Sequence, residues 1–139
     1  MLHIYCRQNI EKEYIDRMLT SFKELVVYKD SYTLMILVHK AVKNFPNHEQ
    51  FDLTSQMRRA SKSIPANLAE GWAKREHTKE FIKHLNICIG SSHEMEVHAQ
   101  TAGDLGYMEQ SLATRLANLY SRLSGQLITL KQKWKPIIK

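Results

Sequence analysis

Apolar residues return along this chain at steps of three and four, in four separate runs. Such steps place side chains on one face of an α-helix, whereas a strand would show alternation. The first run carries Tyr28, Tyr32, Met35, His39 and Val42, flanked by Leu34, Val38 and Ala41. It predicts a helix to about Asn44, stopping before "NFPN", because Pro46 disfavours helix at Phe45. Its start has two candidates. Ser21 and Glu24 have capping-box spacing, and the helix could equally open nearer Tyr28.

The second run, Met57, Ala60, Ile64, Leu68 and Gly71, opens near Asp52 or Thr54, both competent N-caps. It contains Pro65. A proline in a helix interior removes a hydrogen bond and clashes with the turn before it, at a cost of roughly 3 kcal/mol or more. The phase nevertheless continues past Pro65, which a helix ending at Ile64 would have no reason to do. The pattern predicts one long helix kinked at Pro65, with the Ser61 carbonyl losing its partner and nearby serine hydroxyls or water compensating.

The third run is Phe81, Leu85, Cys88, Ser92, Met95, Ala99 and Ala102, with Thr78 as the expected N-cap and Glu80 at the positive end of the helix dipole. Gly90 inside it costs about 1 kcal/mol relative to alanine, so close approach by another helix is expected there. "GDLGY" at 103–107 supplies the stop. The fourth, about Gln110–Trp134, has the stripe Leu112, Leu116, Leu119, Leu123, Leu127, Leu130 and Trp134. Opposite it run Ser111, Arg115, Asn118, Arg122, Gln126, Thr129 and Lys133, and Pro136 ends it.

Four amphipathic helices with short connections predict an all-α, up-down-up-down four-helix bundle, the second helix kinked at Pro65. Residues 21–135 form the bundle in this reading. Residues 1–20 are an N-terminal extension expected to be poorly ordered, with Met18 an alternative start, and 136–139 a basic tail. A chain of 139 residues with 43% apolar composition is enough for one domain with a core. The longest apolar run, Leu34–Val38, is far short of the ~20 residues needed to span a bilayer. The N-terminus carries acids early and no long apolar stretch, so a cytoplasmic protein without membrane partners is expected. Cys6 and Cys88 make neither a disulfide framework nor a metal set. Cys88 lies on the third stripe and reads as a buried, inert thiol.

Charge changes the picture. All fourteen acidic residues fall at or before Glu109, where fourteen of the twenty Lys and Arg cancel them. The whole net charge of +6 therefore lies in Arg115, Arg122, Lys131, Lys133, Lys135 and Lys139. Such a segment attracts polyanions, with RNA or DNA foremost in a cytoplasm. The binding residues read from it are Arg115, Arg122, Lys131, Lys133 and Lys135. No recognition motif or aromatic row accompanies them, so phosphate contact rather than base reading is expected.

Catalytic and metal patterns are weak. A di-iron bundle needs Glu-x-x-His twice, and the chain has none. Glu80 with His84 and Glu94 with His98 are spaced by four and lack the further ligands. Glu70, Glu94 and His98 read better as helix-joining groups paired with Arg58 or Arg59. "GSSHE" at 90–94 falls mid-helix rather than on a nucleophile elbow, so Ser91 and Ser92 read as packing residues. No catalytic residue, cofactor or metal is assigned.

Three stretches, "LTSQMRRASKSIPANLAEG" (Leu53–Gly71), "KEFIKHLNICIGSSHEME" (Lys79–Glu96) and "LGY" (Leu105–Tyr107), resemble in order and spacing the four-helix-bundle proteins encoded in intervening sequences of bacterial 23S ribosomal RNA genes. The resemblance covers roughly Phe22 to Lys135. It implies a four-helix bundle assembling as a ring-like homopentamer. That family also resembles the accessory variability determinant of diversity-generating retroelements, which implies a reverse transcriptase-like protein and nucleic acid as partners. The chain departs from the family pattern at Lys62 and at "MEQSLATRL", where an acidic, Ser-led opening is common. The resulting expectation is a non-enzymatic oligomeric scaffold binding nucleic acid through a basic surface. The alternative is a protein-interaction module whose basic face meets an acidic protein.

Overall fold

In the computed structural model, which describes residues 19–134, the chain enters through a 3-10 turn at Phe22–Glu24. Ser21 caps that turn and not a long helix. Its Oγ accepts from the Lys23 N–H at 3.2 Å, while Glu24 reaches back to Thr20. Helix α1 (Val26–Val42) opens after Leu25, so the later of the two expected starts is the one formed. The expectations for residues 1–18, including Cys6 and Met18, and for 135–139, including Lys135, lie outside the described residues.

A second 3-10 turn, Asn47–Glu49, leads into α2 (Leu53–Ala73). Asp52 is the N-cap residue, the earlier of the two expected openings, but its side chain makes no cap bond. Glu49 supplies the side-chain bond instead, its Oε2 accepting from the Leu53 N–H at 3.1 Å and placing negative charge at the positive helix end. α2 runs unbroken through Pro65, as its phase requires. The nearby serine hydroxyls do not turn to the Ser61 carbonyl: Ser61 Oγ donates to Arg58 O, and Ser63 Oγ accepts from Ser91 and Asn67.

Helix α3 (Thr78–Asp104) is preceded by His77 as its cap residue. The Thr78 hydroxyl does not cap; it is buried with no hydrogen-bond partner among the described residues. The far end closes in a Schellman turn. Gly106 takes φ +75°, its N–H donates to Gly103 O at 3.1 Å, and the Tyr107 N–H donates to Ala102 O at 2.9 Å. Helix α4 (Gln110–Lys133) follows at once.

Among the described residues there is no strand, and the helices pack in chain order, α1 on α2, α2 on α3, α3 on α4. Short connections make these neighbours antiparallel, and the all-α bundle is as expected. The seam between α1 and α4 is the thinnest. No helix among the described residues is long and apolar enough to cross a membrane.

The inner helices bury the faces their patterns predicted. Met57, Ala60, Ile64, Leu68 and Gly71 of α2 are buried, as are Phe81, Leu85, Cys88, Ser92, Met95, Ala99 and Ala102 of α3. The outer helices are rotated from their predicted stripes. α1 buries Val27, Ser31, Leu34, Val38 and Val42, leaving Tyr28, Met35 and His39 half-buried and Tyr32 exposed. α4 buries Ala113, Leu116, Tyr120, Leu123, Ser124 and Leu127; Leu119 and Leu130 sit at the margin, and Leu112 is 37% exposed.

Gly90 was expected to mark close helix approach, but a Cβ there would meet nothing within 4 Å. The close approaches are at Gly71, where a Cβ would lie 2.7 Å from His84 Cβ, and at Gly103, where it would lie 2.7 Å from Ala113 Cβ. The two ends of the bundle are tied differently. At one, Trp134 packs on Phe81 (ring centroids 4.5 Å apart) and Trp72 (6.1 Å). At the other, the Tyr107 hydroxyl donates to Glu49 Oε1 at 3.1 Å and lies 3.2 Å from His48 Nε2, joining the α1–α2 and α3–α4 connections. Partial burial, then the Glu49 carboxylate, pushes the Tyr107 phenol up.

Candidate nucleic-acid interface

Helix α4 owes its stability to leucine-rich content and to the burial of one face. That burial aims the opposite face at solvent. Arg115 and Arg122 are seven residues apart, two helical turns, so they stand on one line about 10 Å apart along the axis. Both are exposed, as is Lys133; Lys131 is half-buried at the flank. Ser111, Asn118 and Thr129 between them are exposed too, and Gln126 is half-buried. None of the four cations is in an ion pair among the described residues, and no acid occurs between Gln110 and Lys133. Lys131 and Lys133 also occupy the last turn, where positive charge suits the negative helix end. Arg115 and Arg122 have no such local role. They form an uncompensated cationic line.

The second polar feature runs along the seam of α2 and α3. Asn67 Nδ2 donates to Ser63 O at 2.8 Å, which turns its Oδ1 to His84 Nδ1 at 3.0 Å. The amide oxygen can only accept, so His84 carries its proton on Nδ1 and presents Nε2 as acceptor to Lys74 Nζ, 3.4 Å away. Lys74 in turn lies 3.7 Å from Glu70, and Ser91 Oγ joins the other end by donating to Ser63 Oγ at 3.0 Å. His84 is buried, and Gly71 gives its ring the room it occupies. A chain of matched donors and acceptors fixes how two helices slide past each other.

The roles expected of Glu70, Glu94 and His98 change accordingly. Glu70 pairs with Lys74, and His98 lies 3.0 Å from Glu94 on the same helix, so neither glutamate reaches Arg58 or Arg59. Glu70 is exposed, so no buried charge needs a partner there. Glu80 does not pair with His84, whose Nδ1 faces Asn67. Among the described residues no three His, Cys, Asp or Glu side chains group as a metal site would require. Ser91 is bound to Ser63, and Ser92 is buried without a partner among the described residues. Cys88 is the buried thiol its stripe implied. Its Sγ donates to Ile64 O at 3.4 Å, and burial pushes the thiol up to about 12.

Ser63 and Lys74 were not singled out by the pattern of the chain, and His84 only for its spacing from Glu80. His84 sits beside Leu85 on the margin of an apolar stripe, and only its tertiary partner, seventeen residues away, gives it a role. By contrast, Asn67 and Gly71 belong to the "IPANLAEG" stretch, and both serve this seam.

Residues 23–129 match the family model described as 23S rRNA-intervening sequence protein. The chain belongs to that family. No curated protein matches it. Within this 23S rRNA-intervening sequence protein, the match takes in the whole α2–α3 seam together with Arg115 and Arg122. Lys131, Lys133 and Lys135 fall beyond the matched residues.

Proposed function

We propose that the protein is a non-enzymatic, oligomeric helical scaffold that binds nucleic acid through the cationic face of α4 and works alongside a protein partner. One observation carries the reading: Arg115 and Arg122 stand exposed on an acid-free helix with no ion pair among the described residues. A self-association such as the predicted homopentamer would repeat that line around one particle and multiply its field. Phosphate neutralisation releases condensed counterions, so affinity falls steeply with salt. Membership of a family named for an RNA context is compatible with this role.

Electrophoretic mobility shift with RNA and DNA over a salt series tests it. Shifts at low salt that fade as salt rises, and that weaken in the double variant Arg115→Ala/Arg122→Ala, are expected. Absence of binding at low salt, or binding indifferent to that variant, overturns the α4 assignment. Affinity capture of an acidic protein that survives nuclease treatment would support the protein-interaction reading instead. Light scattering at the mass of one chain would remove the oligomer.

A further inference from the structure

We propose that the phosphate-binding surface extends from α4 onto the turn between α2 and α3, where Arg75 is held ready as a phosphate clamp; this rests on the reading of α4 as a nucleic-acid-binding face. The extension begins with the aromatic cluster at this end of the bundle. Trp134 sits 4.5 Å from Phe81 and 6.1 Å from Trp72, ring centroid to ring centroid. Its chain neighbour Lys133, and Lys131 one turn before it, are thereby brought to the point where α2 gives way to α3. Arg75 is at the same point. Its guanidinium lies 4.6 Å from the centroid of Trp72, the ring that meets Trp134. Segments nearly sixty residues apart in sequence thus place their cations around one cluster.

Arg75 is restrained twice, by the face of Trp72 and by the bond from Nη1 to Trp72 O at 3.1 Å. One of its five donors is used in that bond, and the exposed residue turns the rest of a rigid fork to solvent. A guanidinium ordered in advance loses less freedom when it grips a phosphate, and its planar fork matches the phosphate oxygens. Lys79 adds a second sign. It is exposed in the first turn of α3, where positive charge opposes the helix dipole, and it has no ion pair among the described residues. Helix stability does not account for it.

Opposing charges are few. Glu76 and Glu80 are exposed in the same turn, so Arg75, Lys79, Lys131 and Lys133 leave an excess of two positive charges. Lys74 is not part of the clamp, because its Nζ lies 3.7 Å from Glu70 and 3.4 Å from His84. A phosphodiester backbone fits this arrangement because it offers a row of single charges that can cross from one segment to the other.

The test is fluorescence anisotropy with a short RNA duplex and a DNA duplex of the same sequence, each over a salt series. Each phosphate contact contributes about 0.9 to the slope of log affinity against log salt on B-DNA. Arg75→Gln and Lys79→Gln should each lower the magnitude of the slope by about one and weaken binding at low salt, with melting temperatures near wild type. Lys79 is exposed and unbonded, so its variant remains informative if Arg75→Gln loosens the Trp72 contact. Should the wild type bind, Arg115→Ala/Arg122→Ala weaken it, and both Arg75→Gln and Lys79→Gln keep the full slope, this extension is wrong while the α4 reading stands. Should neither duplex bind the wild type while polyglutamate does, both are wrong.

Discussion

The inner helices α2 and α3 and the outer helices α1 and α4 spend their apolar residues differently. α2 and α3 each pack firmly against two neighbours, and nearly every apolar residue on their stripes is buried. α1 and α4 have one firm neighbour each and meet one another thinly. They carry more apolar surface than this core covers: Tyr32 and Ile36 remain exposed on α1, Leu112 and Ile128 on α4. Oily surface on the two loosely joined helices marks where the chain has capacity for contacts beyond its own core; of the inner pair only α3 adds to it, through Ile87 and Val97.

The contrast can be broken most sharply with a matched pair of leucines. Leu85→Ala on α3 should cost about 2–5 kcal/mol in urea denaturation, as fully buried leucines do. Leu112→Ala on α4, tested in dilute protein, should cost within about 0.5 kcal/mol of nothing. Equal losses would refute the assigned phase of α4. A loss at Leu112 that grows with protein concentration would place the residue in a subunit contact.

Alkaline pH probes the inner pair next. The Cys88 thiol is raised from an ordinary value of 9.0 to about 12. Unfolded chain then releases a proton that folded chain keeps, so stability is intact below about 9 and declines as pH rises toward 12, by about 1.4 kcal/mol per pH unit. Cys88→Ala should flatten the decline between pH 9 and 10, below the range where tyrosines join. An unchanged slope in that variant would show the thiol to be solvated.

Glycines give the smaller effects. Gly71→Ala forces a methyl against His84 and should lose about 1–3 kcal/mol by calorimetry. Gly90→Ala and Gly125→Ala face open space within their helices and should each gain up to about 1 kcal/mol. A loss at Gly90 in the assembled protein would expose a packing surface there that one chain does not supply.

The same contrast explains what could be read in advance. The stripes of α2 and α3 were legible because most of their large apolar residues lie on the core face, although Thr54, Ser61, His84 and Ser92 are buried with them. On α1 and α4 the core also takes Ser31, Ala113 and Ser124, small or polar positions that a hydrophobicity pattern passes over. Ser31 and Ser124 are tolerated there because each hydroxyl donates to a carbonyl of its own helix, Tyr28 O and Tyr120 O. Meanwhile large residues such as Tyr28 and Leu119 rest at the margin and pull the apparent stripe toward them. The position of the cap on α2, Asp52, was legible, but the side chain that bonds there was missed because Glu49 reaches it from a separate turn. The cationic line on α4 needed only charge and period, so it was fully visible. Arg75 was not, since its hold on Trp72, three residues away, is set by the way the chain turns at the end of α2.

The clasp of Tyr107 with Glu49 and His48 joins two connections whose parent helices, α1 and α4, barely touch. Like the pin of a pair of tongs, it confines any parting of those rods to a swing from the opposite end, near Val26 and Lys133. Cutting it with Tyr107→Phe would free both arms, and amide exchange should then quicken first in the loops it tied.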